Sequence, residues 1–79
     1  MNTMYAVIAD YNLEALYKGV STANRRIREL DDYPVNWRQS PTVYQVSSAD
    51  DLPEFFRETP AYAALSHWLE NGRSGKRLP

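Results

Sequence analysis

Met4-Tyr5-Ala6-Val7-Ile8-Ala9-Asp10-Tyr11 is the run on which the architecture of this chain turns. It is short and apolar, with β-branched and aromatic members. The Val7-Ile8 pair and the polar stop at Asp10-Tyr11-Asn12 read as a strand. No charged or amide residue interrupts the run from Met4 to Ala9, so the strand is expected at the centre of a sheet, buried on both faces. Met4, Val7, Ile8 and Tyr11 also have helical spacing, so a helix stays open over residues 4–11; the β-branched pair and the early stop favour the strand.

On its C-terminal side, Asn12 suits a helix N-cap. From Leu13 to Asp31 the apolar residues Leu13, Leu16, Tyr17, Val20, Ala23, Ile27 and Leu30 recur at three- and four-residue steps. This spacing predicts one amphipathic helix, with Lys18, Thr22, Arg25 and Glu29 opposite the apolar stripe and Gly19 in its interior. Asp32-Tyr33-Pro34 ends it. Val35 to Gln39 and Thr42 to Ser47 then read as two strands around a Ser40-Pro41 turn. Asp51-Leu52-Pro53-Glu54 resembles a capping box, opening a short helix with Leu52, Phe55 and Phe56 inward. Thr59-Pro60 caps a last helix with the stripe Ala61, Tyr62, Leu65, Trp68 and Leu69, closed by Gly72. The expected fold is therefore α+β, in the order β-α-β-β-α-α: a three-stranded sheet with helices on one face and the other face partly wet. Residues 1–72 form one domain in this reading, and 73–79 (RSGKRLP) a mobile basic tail.

Composition restricts the function classes. A chain of 79 residues holds one small core, burying only about 60% of its unfolded surface. It has no cysteine, which removes disulfides and thiolate metal sites and fits the reducing cytoplasm. No apolar run approaches the ~20 residues of a membrane span, and Met1-Asn2-Thr3-Met4 has no signal-peptide pattern. The net charge of −1 supplies no global field to recruit nucleic acid or an acidic membrane.

Catalytic equipment is sparse. His67 is the single histidine and is expected on the exposed side of the last helix, without an orienting partner. Glycines fall at 19, 72 and 75, which builds no phosphate-cradling loop. The serines at 21, 40, 47, 48, 66 and 74 have no nucleophile-elbow setting. No spacing of His and carboxylates resembles a metal motif. The expectation is a protein that is not an enzyme, with no cofactor, metal or small-molecule substrate.

Three groups of residues are candidates for binding. Tyr33, Trp37, Arg38 and Tyr44 fall together in the predicted hairpin. On the sheet's open face they would form an aromatic patch with a cationic neighbour, the composition of interface anchors; the alternative is that Trp37 plugs the core. Asp50, Glu54 and Glu58 are spaced i, i+4, i+8, with Asp51 beside them. On a continuous helix they would line one face at about 6 Å steps, comparable with phosphates on a nucleic-acid strand; the alternative is ordinary enrichment of acids at helix N-termini. Lys18, Arg25, Arg26 and Arg28 would share a helix face able to grip phosphates, or form a solvated face balanced by Glu14, Glu29 and Asp31.

In size, acidity, lack of cysteine and lack of catalytic groups, the chain resembles the small accessory proteins of phages and mobile elements, anti-CRISPR inhibitors among them. That likeness implies a cytoplasmic inhibitor that binds a host protein, or a nucleic-acid-binding host complex at its groove, by steric occlusion or partial nucleic-acid mimicry. The alternatives are a small nucleic-acid-binding regulator using Lys18, Arg25, Arg26 and Arg28, and a structural or assembly subunit that associates with itself.

Overall fold

The computed structural model describes residues 3–32, 40–72 and 75–76. In chain order the elements are β1 (Met4–Ala9), β2 (Asn12–Tyr17), α1 (Val20–Asp31), β3 (Thr42–Val46), two 3-10 turns at Ala49–Asp51 and Glu54–Phe56, α2 (Pro60–Glu70) and β4 (Gly75–Lys76). The class is α+β, as expected. A three-stranded antiparallel sheet in the order β3-β1-β2 carries both helices, and the two-residue β4 lies beside β2.

β1 is the central strand of the three, and its apolar run is the reason. Ala6, Val7, Ile8 and Ala9 are at most 1% exposed, which requires cover on both faces. A two-residue turn at Asp10-Tyr11 leads into β2. Both turn residues have left-handed φ, +50° and +63°, as the type I′ hairpin turn demands. Asn12, expected as a helix cap, begins β2, and its side-chain amide donates to the Asp10 carbonyl at 3.0 Å.

The helix expected over Leu13 to Asp31 is thus a strand, the Lys18-Gly19 connection and a shorter helix. A β-bulge explains the misleading spacing. Val7 pairs with Ala15 and Ile8 with Leu13, so Glu14 is an extra residue in β2. The insertion places Leu13 and Leu16, three apart, on one sheet face, opposite Ile8 and Ala6. A strand of regular pleat would separate them. Gly19 lies at the N-cap of α1, not within a helix.

The helices were expected on one face, but each covers its own. Val7 and Ala15 pack with Ala23 and Leu30 of α1, joined by partly buried Tyr5, Tyr17, Ile27 and Val43. Met4, Ala6, Ile8, Leu13, Leu16 and Val46 pack with Ala61, Leu65 and Trp68 of α2 and with Ala49, Leu52 and Phe56 of the 3-10 segment. The sheet therefore has no broad wet face over β1. Among the described residues, twelve buried ones form the α2 layer and four the α1 layer. At roughly 1.5–3 kcal/mol per large apolar side chain, the α2 layer contributes most of the burial energy of the described residues.

β3 and α2 agree with the sequence reading, including Pro60 in the first turn of α2 and Gly72 at φ +62° beyond its end. The strand expected over Val35 to Gln39 lies outside the described residues. Within the segment expected as a tail, Gly75 and Lys76 pair with Leu16 and Ala15.

Candidate interaction surface at the hairpin tip

Four aromatic rings gather where the β1–β2 turn meets the 3-10 segment. Phe56 is fully buried, and three rings surround it. Phe55 is 4.4 Å away between centroids, Tyr44 5.4 Å and Tyr11 6.0 Å, the last two edge-on. Edge-on contacts at these distances are favoured by the ring quadrupoles. Phe55 is 58% exposed and Tyr11 39%. The cluster has one ring inside the core and two presenting surface to solvent.

Local geometry enforces this division. In a 3-10 turn successive side chains point about 120° apart, so Phe55 and Phe56 cannot both face the core. The backbone is held on both sides of the pair. The Phe56 amide donates to the Pro53 carbonyl at 3.0 Å, and the Phe56 carbonyl accepts from the Thr59 amide at 2.9 Å and the Thr59 hydroxyl at 2.6 Å. Tyr11 is fixed from its own side, because its carbonyl accepts the Ala61 amide at 2.9 Å. The φ of +63° at Tyr11 belongs to the type I′ turn and fixes the direction in which its ring leaves the backbone.

The acidic residues lie in the same segment but do not form a helix-face row. Leu52 and Pro53 have ψ of 151° and 148°, an extended step that separates the two 3-10 turns, so the i, i+4, i+8 spacing has no straight helix to line. Asp50 accepts the Tyr62 hydroxyl at 2.8 Å. That bond and the Asp50 charge raise the Tyr62 pKa, against a smaller opposing effect of Arg57. Asp51 accepts the Ser47 and Ser48 amides at 2.6 and 3.0 Å, and these bonds lower its pKa. The capping box is thus Ser48 to Asp51, three residues earlier than the sequence suggested, because Asp51 closes the first turn instead of opening a helix. Glu54 and Glu58 are exposed. Residues 50–58 hold four carboxylates and one guanidinium, Arg57, a strongly acidic stretch in a chain of net charge −1.

The other candidate residues are dispersed. Tyr33, Trp37 and Arg38 lie outside the described residues. Tyr44 is on the α2 side of the sheet against Phe56, not on an open face, and burial raises its pKa. Lys18 precedes α1 and so shares no helix face with Arg25. Arg25 and Arg28 are exposed on α1, whereas Arg26 is largely buried and pairs with Glu29 at 3.0 Å. His67 is exposed on α2, and its carbonyl accepts the Asn71 side-chain amide at 2.7 Å. Among the described residues, no group of three or more His, Cys, Asp or Glu side chains is placed to hold a metal ion, and no helix is long and apolar enough to cross a membrane.

Sequence reasoning missed Tyr11 and Phe55 as surface residues. A signal for Phe55 existed: of two adjacent phenylalanines in one tight turn, one must face out. The sequence places Tyr11 at the end of a strand, and only the two-residue turn reveals its exposure. No family model matches the sequence, no curated relative matches it, and no solved structure matches the fold.

Proposed function

We propose that the chain is a non-enzymatic binding protein that docks a protein partner through the edge formed by Tyr11 and Phe55 and acts by occluding the partner's surface. The observation that carries this reading is the 58% exposed Phe55 ring seated on buried Phe56, with the partly exposed Tyr11 ring edge-on to the same Phe56. An aromatic side chain already held in place loses little freedom on binding, which is what an interface anchor needs. The finer form of the proposal is a cytoplasmic inhibitor of the kind carried by phages and mobile elements, directed at a host defence complex. Its support is the small cysteine-free chain without recognisable catalytic motifs. Regular nucleic-acid mimicry by the carboxylate row is not retained, because the extended step at Leu52-Pro53 breaks the row. Glu54 and Glu58 stay within the proposal as flanks of Phe55.

The test is affinity capture from host lysate with wild-type and Phe55→Ala baits of matched stability. Partners retained by the wild type and lost by the variant support the proposal. Identical captures by both baits, with Tyr11→Ala equally silent, sink it. Truncating a central aromatic anchor costs about 2 kcal/mol or more, close to a thirtyfold loss of affinity.

A further inference from the structure

The charges around the exposed rings select the partner's chemistry. Exposed aromatics suit two kinds of occupant, the bases of a single-stranded nucleic acid or the side chains of a protein. A nucleic-acid platform pairs its rings with a cationic groove that follows the phosphates. Here the sign is reversed: residues 50–58 carry Asp50, Asp51, Glu54 and Glu58 against Arg57 alone. Asp50 and Asp51 already bond Tyr62 and the Ser47 and Ser48 amides, so they supply field more than contacts. The carboxylates of Glu54 and Glu58, one and three positions from Phe55, make no hydrogen bond or ion pair within the described residues and keep their acceptor capacity for an incoming donor.

We infer that the surface fitted by the Tyr11–Phe55 edge is a basic protein segment, whose arginine or lysine side chains lie over the exposed rings and donate to Glu54 and Glu58. This rests on the proposed docking role of that edge. A guanidinium is suited to both contacts at once, since it stacks on an aromatic face and presents a planar fork to a carboxylate. Arg57 adds one like charge to this segment, which the Glu54 and Glu58 carboxylates outnumber. Phosphates on the same edge would face like charge, which penalises a wrong partner.

The experiment is an amide chemical-shift titration of the full chain with three probes. These are a short peptide alternating arginine and leucine, the same peptide with glutamine for every arginine, and a single-stranded oligothymidylate. The arginine peptide is expected to shift the amides of Tyr11, Glu54, Phe55 and Glu58, with affinity that falls as salt rises. Roughly a tenfold loss or more is expected in Glu54→Gln/Glu58→Gln and again in Phe55→Ala. Both glutamates are exposed, so the double variant should keep its circular dichroism spectrum; single Glu58→Gln serves if it does not. Equal binding of the glutamine peptide at the same amides overturns the inference and leaves the docking edge standing. Shifts there with the oligonucleotide overturn both. Silence with every probe overturns the inference, while lysate capture judges the docking edge separately.

Discussion

The Tyr11 carbonyl accepts the Ala61 amide hydrogen at 2.9 Å, so the tip of the β1–β2 hairpin satisfies one of the free N–H groups at the start of α2. Residues fifty apart in sequence thereby fix each other, and the aromatic edge lies over the junction.

Tyr11→Gly separates backbone from ring at this point. Glycine relieves the left-handed φ of +63°, worth about 1–2 kcal/mol. It loses the edge-on contact with Phe56, worth about 0.5–1.5 kcal/mol, and adds freedom to the unfolded chain. The opposing effects nearly cancel, so urea unfolding should show a net change within about 1 kcal/mol while partner binding weakens. A loss of several kcal/mol would mean that the ring is chiefly structural.

Phe56→Ala and Phe55→Ala should diverge. Phe56 is fully buried, and its truncation should cost about 3–5 kcal/mol. Set against a total of about 4–12 kcal/mol for a domain of this length, that leaves a marginal fold. Phe55→Ala removes a mostly exposed ring and should cost roughly 1 kcal/mol or less. Chemical denaturation followed by circular dichroism compares the two; similar losses would contradict the assignment of Phe55 to the surface.

Asp51 predicts an acid dependence with a definite sign. The Ser47 and Ser48 amides hold its folded pKa below the ordinary carboxylate value. Its contribution is therefore fully present above the unfolded pKa of about 3.9 and is lost as pH falls through the folded one. Melting temperature measured from neutral pH into the acid range should decline less steeply in Asp51→Ala than in the wild type, from a lower neutral value. Parallel curves would show that the two amide bonds do not persist in solution.

Ala15→Leu tests the α1 layer. Ala15 and Ala23 are both fully buried and belong to one packed cluster, so a larger side chain must push α1 from the sheet. Overpacking of this kind costs about 1–3 kcal/mol. An unchanged urea midpoint would mean that α1 does not press on Ala15.

The α+β class, β1, β3 and α2 were legible because their patterns are local. An apolar run with a polar stop, a strand beginning after proline, and a proline-led amphipathic stretch each carry their own signal. β2 was not legible, since the bulge at Glu14 sets Leu13 and Leu16 at the spacing of a helix and the real helix follows after only two residues. The division of the helices between the faces was implied by a central strand apolar throughout, since residues facing both ways need two covers. Of the candidate binding residues, the acidic group does not have the helix-face geometry that its spacing suggested, because propensity does not report the extended Leu52-Pro53 step. Tyr11 and Phe55 depend on long-range packing around Phe56, and no local pattern announces it.

The odd residue in β2 absorbs one position of length. Were Glu14 deleted and the turn kept, Leu13 would stay opposite Ile8 and Ala15 would follow it opposite Val7, giving a regular pleat with both leucines still toward α2. Loss of a residue from the regular part of β1 would instead exchange the two sides of that strand. Glu14 is therefore a place where the hairpin can shorten without changing which helix each side chain meets.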